Sequence, residues 1–297
     1  MRRIALLAVL VVAGMTAIAA MPAGSANEVN LYSYRQPFLI NPILEEFTKR
    51  TGIKVNVVYA KRGMLEKIKA EGSNTPADAV LTVDIGRLHD MVEAGVLQPV
   101  KSVVLEGNIP PQYRHPEGYW YGLTTRARIL FVSKDRGGVD EVTTYEDLAD
   151  PKMKGRVCMR SGKHVYNVSL IASIVAAKGK EAAKNWLQGF RDNLARRPQG
   201  NDRAQVKAIF EGVCDVAVAN TYYMGKMATN NKQPEQKKWA AAVRIVFPNA
   251  NGRGTHVNIS GAAIAKHAPN KDNAVKLLEF LSDDYAQKAY AEQNFEY

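Results

Sequence analysis

Short apolar runs alternate along this chain with stretches in which apolar positions recur every three or four residues. The first pattern is that of a buried strand, the second that of an amphipathic helix. Residues 29–34 (VNLYSY) read as a strand. Asn41-Pro42 then opens a helix, with Asn as cap and Pro at its first position. Ile43, Leu44 and Phe47 form its buried face and Gly52 ends it. Residues 53–59 alternate as a strand, 63–71 are helical, 79–83 form a short buried strand, and 87–94 form a helix stopped by Gly95. This βαβαβ order predicts a parallel sheet with helices on its faces.

Residues 123–133 (LTTRARILFVS) form a long strand pattern and the first crossing between two lobes. Thr144-Tyr145-Glu146-Asp147 has the form of a capping box opening a short helix. Strands are expected at 156–160, 214–219, 240–247 and 257–265, and helices at 168–177, 181–190, 202–211 and 273–282. In the last helix Ala274, Leu277, Leu278 and Leu281 share one face. The stretch 99–121, rich in Pro, Gly and aromatics, reads as a loop, and no internal repeat or low-complexity segment is present.

The amino terminus changes the setting. Met1-Arg2-Arg3 is followed by an apolar stretch to Ala20 and by Pro22-Ala23-Gly24-Ser25-Ala26. A charged start, a short apolar core and small residues before a cut describe a secretory signal peptide over residues 1–26, with the mature chain beginning near Asn27. The apolar run is short for a membrane span, and no later stretch approaches one. No cysteine for lipid attachment lies nearby. The mature part, about 271 residues with 46% apolar content in the whole chain, suits two moderate domains. Loss of Arg2 and Arg3 takes the formal charge from +11 to +9. The basic residues are scattered, with no run of five or more, which argues against nucleic acid and for an anionic ligand or a membrane face. The two cysteines, Cys158 and Cys214, lie in strand-like segments; either a disulfide of the oxidising compartment or a pair of buried thiols fits.

Catalytic patterns are missing. There is no Gly-x-Ser-x-Gly, no His-Glu-x-x-His and no phosphate-binding Gly-x-x-x-x-Gly-Lys-Ser/Thr, and the five histidines have no metal-ligand spacing. Tyrosine is the unusual residue, with 13 in the chain. Tyr222-Tyr223 follow the strand 214–219, and Tyr166 follows the strand 156–160 where the next helix opens. Both places are carboxyl ends of strands, where open α/β sheets bind ligands. Phenolate oxygens suit a hard, triply charged cation, and three of them would neutralise ferric iron. Arg35, Arg126 and Arg128 are candidates to hold an accompanying anion through their forked guanidinium groups. The pattern alone also fits tyrosines that pack, stack on a sugar or clasp an organic cation.

The segments NEVNLYSYRQPFLI, PADAVLTVDIGRL, YGLTTRARI, SGKHVYNVS, LARRPQGNDRAQVKAIFEGVCD, NTYYMGK and GTHVNISGAAIAKHAPNKDNA, in this order, resemble the periplasmic ferric ion-binding proteins among the type-II solute-binding proteins of ABC iron importers. The resemblance covers nearly all of 27–297. It implies an α/β, two-lobed periplasmic binding protein type II fold with crossing hinge strands: residues 27–124 plus 258–297 as lobe 1 and 125–257 as lobe 2. It further implies a monomer that catalyses nothing, binds Fe(3+) in the periplasm and passes it to ABC importer membrane subunits. By motif, the iron ligands fall on Tyr166, Tyr222 and Tyr223, with Tyr34 touching iron directly or supporting it from behind. Arg35 and Arg126 would hold a carbonate-like anion. Gln36 and Pro37 stand where related subgroups carry a His-Tyr pair, so no histidine ligand is expected from this lobe. Family members continue past the stretch that here ends at Tyr297, so the outer packing of lobe 1 is where this chain departs from them. The rival reading is a carrier of an oxyanion or of a small organic cation such as a polyamine or thiamine.

Overall fold

The computed structural model describes residues 27–139 and 141–296; the expected signal peptide lies outside them. Nine strands are described: β1 (Glu28–Ser33), β2 (Lys54–Tyr59), β3 (Ala79–Thr82), β4 (Leu97–Gln98), β5 (Tyr121–Ser133), β6 (Val157–Cys158), β7 (Val216–Asn220), β8 (Val243–Val246) and β9 (Val257–Ala265). They join in the order β2-β1-β3-β9-β5-β7-β6, with β4 beside β9 and β8 beside β5. β1 is parallel to β2 and β3, as the βαβαβ pattern predicts. β5 has two sets of partners. Its first half, through Ala127, pairs antiparallel with β9; its second half, from Arg128, pairs with β7 and β8.

Each half of this strand path is covered on both faces, and side-chain alternation along the strands decides which residue goes where. Leu31 and Leu81 face one cluster, packed under α1 (Pro37–Thr51) and, further along the chain, under residues Leu277 and Leu281. Tyr32, Tyr34 and Val80 face the other, under α2 (Met64–Glu71) and α3 (Ile85–Glu93). In the second half, Leu130, Val132 and Val218 face one cluster while Ile129, Phe131 and Ala219 face another. The fold is mixed α/β, each half of the sheet lying between two layers of packed side chains.

Several boundaries differ from the sequence pattern. α1 begins at Pro37, and Pro42 lies inside it. Ile40 is buried with Ile43, Leu44 and Phe47, so the apolar face extends a turn before Pro42 and holds that turn helical. The carbonyl that Pro42 leaves without an intrahelical donor belongs to Phe38, which is 74% exposed, so water can serve it. Within 99–121 there is a helix, α4 (Val103–Asn108), whose Ser102 cap accepts from the Leu105 N–H at 3.2 Å. The Thr144 capping box forms, with Asp147 Oδ2 accepting from the Thr144 N–H at 2.8 Å and Thr144 Oγ1 from the Asp147 N–H at 3.2 Å. It opens a 3-10 turn over Glu146–Ala149 and not an α-helix.

After β6 come α5 (Val165–Lys178), α6 (Lys180–Asp192) and α7 (Asp202–Phe210). β7 leads into α8 (Tyr222–Ala228) and α9 (Glu235–Ala241). The expected strand at 240–247 shrinks to β8, because Ala240 and Ala241 complete α9, a segment of strong helix formers. The chain closes with α10 (Lys271–Leu281), α11 (Asp284–Ala289) and a single π-turn over Tyr290–Asn294. Cys158 and Cys214 are joined in a disulfide, their Cα atoms 5.9 Å apart, where β6 runs parallel to β7.

Candidate metal centre

The phenols are placed by a buried polar frame beneath them. Arg128, on β5, is 2% exposed and Asp202, the first residue of α7, is fully buried. Arg128 Nη1 donates to Asp202 Oδ2 at 2.5 Å and to Asn220 Oδ1 at 3.0 Å, and Nη2 donates to Asn167 Oδ1 at 2.7 Å. Asn167 Nδ2 donates at 3.0 Å to the carbonyls of Arg160 and Ser161, which pins the loop between β6 and α5. The Asn220 N–H donates to Asp202 Oδ2 at 3.1 Å, which pins the end of β7. A buried ion pair is favourable only when its remaining donors and acceptors are met, and here the two asparagines meet most of them. Arg128, one of the arginines considered for an anion, is thereby committed to the frame.

Tyr166 is the second residue of α5 and Tyr222 and Tyr223 are the first two of α8. The frame therefore fixes both strand-to-helix turns that carry them. Tyr222 Oη lies 3.2 Å from Tyr166 Oη, and the Tyr222 and Tyr223 rings are 4.4 Å apart between centroids. Burial pushes the Tyr222 phenol well above its ordinary pKa, and the neighbouring Tyr166, Tyr223 and Asp202 add to the rise. Burial, then Asp202, raises Tyr223 as well. Around the phenols stand cations. The guanidinium carbons of Arg126, Arg128 and Arg160 lie 5.6, 5.9 and 5.5 Å from the Tyr166 ring centre. Arg203 lies 5.6 Å from the Tyr223 ring and Lys226 Nζ 4.9 Å from that of Tyr222. Burial lowers the Lys226 ammonium to about 8. Burial and Arg160 lower His164, the cap of α5, to about 4, so it is neutral at pH 7.

Three phenols in a basic surround have a definite chemistry. They can exchange their protons for a hard cation, and the excess positive charge nearby attracts a small anion. Among the described residues no group of three or more His, Cys, Asp or Glu is placed to hold a metal ion. The phenols are thus the oxygen donors gathered here.

The other expected residues are held as follows. Tyr34 has its ring against Arg87 at 4.0 Å and its hydroxyl accepting from the Met64 N–H at 3.2 Å. Arg35 and Arg126 share an acceptor, Ser260 Oγ, at 2.8 and 3.2 Å. Arg126 also donates to the Val83 carbonyl. Arg35 is bonded to the carboxylate of Glu296, which takes a further bond from Thr124 Oγ1 at 2.9 Å. Burial opposes the charge on Glu296, but Arg35, Arg126 and these bonds hold its carboxyl below the usual range. The sequence pattern offered no sign of Glu296, Asp202, Asn167 or Ser260. Each is a polar residue whose role depends on partners far along the chain.

The family model of the bacterial extracellular solute-binding proteins matches residues 43–295. The chain is 49% identical to Iron uptake protein A1 of Synechocystis sp., over 92% of this chain and 76% of that protein. It is 28% identical to the Major ferric iron-binding protein of Neisseria meningitidis serogroup B, over 99% and 85%. The apo ferric ion-binding protein A of Pasteurella haemolytica superposes with a TM-score of 0.85 at 55% identity, covering 92% of this chain and 84% of that one. The protein therefore belongs to the bacterial extracellular solute-binding proteins, in the group that includes these iron uptake and ferric ion-binding proteins, and is a binding protein rather than an enzyme.

Proposed function

We propose that this protein binds ferric iron through the phenolates of Tyr166, Tyr222 and Tyr223 and delivers it to the membrane subunits of an ABC importer. The observation that carries this reading is the convergence of three phenols, with Tyr222 Oη and Tyr166 Oη 3.2 Å apart, amid basic side chains. Export to the periplasm rests on the leader-like residues 1–26 and on membership of a family of extracellular binding proteins. Residues 27–124 with 258–297 form one lobe and 125–257 the other, with β5 and β9 as the crossing strands. Three phenolates cancel the charge of Fe(3+). The remaining positions are filled by carbonate or another small oxyanion, held on the side of Arg126 and Arg160. Arg35 remains a candidate beside them, since its Nη2 bonds Glu296 and Ser260 while its buried Nε has no hydrogen-bond partner. A relative from Trichodesmium, 46% identical, is seen with iron and citrate, which fits an oxygen-donor anion in such a site.

The test is metal analysis with a visible spectrum of the protein loaded from ferric citrate. One tightly bound iron with a phenolate-to-iron charge-transfer band is expected. A colourless protein after loading, or one that takes up spermidine or thiamine instead in calorimetry, would overturn the reading.

A further inference from the structure

Two contacts reach from the first half of the fold to the helices that carry the phenols, and each lands three residues after a phenol. On one side, Asp84 caps α3, its Oδ1 accepting from the Gly86 N–H at 2.9 Å. Its Oδ2 accepts from Ser169 Oγ of α5 at 2.8 Å and from Asn258 Nδ2 at 2.7 Å. Asn258 Nδ2 also donates to Ser169 Oγ at 2.8 Å, so the three side chains close a triangle. On the other side, the Phe295 ring lies against Gly225 of α8. A Cβ placed on Gly225 would come within 2.4 Å of the ring. Phe295 itself sits at φ +57, between Asn294, which donates to the Leu39 carbonyl at 3.3 Å, and Glu296, which holds Arg35.

Residues i and i+3 share one face of a helix. Tyr166 and Ser169 therefore lie on one face of α5, and Tyr222 and Gly225 on one face of α8. Neither Ser169 nor Gly225 belongs to a hydrophobic core cluster of its own half. We propose that Ser169 and Gly225 are positioning residues: through them the first lobe, by way of Asp84 and Phe295, holds the two ligand helices closed on the metal. They set how fast iron leaves, while the phenols alone set whether it is captured. This inference rests on the ferric reading of the site. The capture step needs only the three phenols, which belong to one lobe; release requires the lobes to part, and these two contacts must break first.

The experiment loads wild type, Ser169→Ala, Gly225→Ala, Phe295→Ala and the Gly225→Ala/Phe295→Ala double variant with ferric citrate. Decay of the phenolate-iron band is then followed after mixing with excess EDTA. All five should show the same band after loading and unfold cooperatively in urea. Ser169→Ala should release iron about ten- to a hundredfold faster, the range expected for loss of a hydrogen bond to a charged acceptor. Ser169→Thr, which keeps the hydroxyl, should restore the slow rate. Gly225→Ala should also release faster, although Ala is the better helix former. It should have no further effect once Phe295 is Ala, because the two act through one contact. Wild-type release rates in coloured Ser169→Ala, or independent effects of Gly225→Ala and Phe295→Ala, would overturn the inference alone. An uncoloured wild type would overturn the ferric reading and this inference with it.

Discussion

Arg128 decides where the phenols stand. It is nearly fully buried and joins β5 to Asp202, Asn220 and Asn167. Two of those partners pin the turns from which Tyr166 and Tyr222 emerge. The tyrosines that look alike in composition thereby divide into different kinds. Tyr223→Phe removes a donor oxygen and should weaken ferric binding by more than about a hundredfold, since even residues behind a metal ligand commonly cost ten- to a hundredfold. Tyr34→Phe removes only the acceptor of the Met64 N–H. It should cost about 1 kcal/mol of stability while leaving the visible band and the affinity in place. Equilibrium competition with citrate, read at the charge-transfer band, distinguishes the two.

At the level of elements, the phenols depend on two short strands held together by a covalent link. β6 has only two residues, and the loop that follows it carries Tyr166. The Cys158–Cys214 disulfide ties it to the approach to β7, whose far end carries Tyr222 and Tyr223. With a sequence separation of 56, the closed loop stabilises the fold by roughly 4 kcal/mol in the chain-entropy model. The double variant Cys158→Ser/Cys214→Ser should therefore unfold in urea with about 3–4 kcal/mol less stability. It should still colour with ferric iron where it is folded, because the Arg128–Asp202 frame remains. Complete loss of the band in folded protein would show that the disulfide, and not the frame, sets the site.

For the molecule as a whole, iron binding is tied to protons. The raised phenols of Tyr222 and Tyr223 carry their protons at neutral pH, and a bound cation must displace them. Each proton displaced lowers affinity about tenfold for every unit that pH falls. The sign for folding is different. A phenol raised above 10.0 adds stability that is complete at acid and neutral pH and is lost as pH rises from about 10 through its folded value. Acid release is thus competition at the phenols before it is unfolding. Glu296 acts in the other sense, because its carboxyl is lowered. Its tie to Arg35 is present above about 4.5 and is lost as pH falls through its lowered value, which loosens the end of the chain within the first lobe. Iron content measured at stepwise lower pH should fall with a slope of more than one proton per iron, while far-UV circular dichroism stays native through the first part of the loss. A pH-independent iron content down to the unfolding transition would contradict phenolate ligation.

Much of this was legible in the sequence, for local reasons. Period-two and helical spacing are properties of neighbouring residues, so the parallel β1–β3 unit, the long β5 and the helix face of Leu277 and Leu281 could be read directly. The position of Tyr166, Tyr222 and Tyr223 just after strands was likewise local. Boundaries such as the start of α1 were less legible, because burial of Ile40 overrides the usual signal of a proline. Only the tertiary structure decided that the phenols meet, that Tyr34 bonds Met64, that the two cysteines pair, and that Arg35 bonds Glu296. These depend on residues from 30 to 261 positions apart being brought together, as in the bonds of Tyr34 to Met64 and of Arg35 to Glu296. No periodicity along a chain carries that information, because the energy that selects such partners appears only once their surroundings are dry.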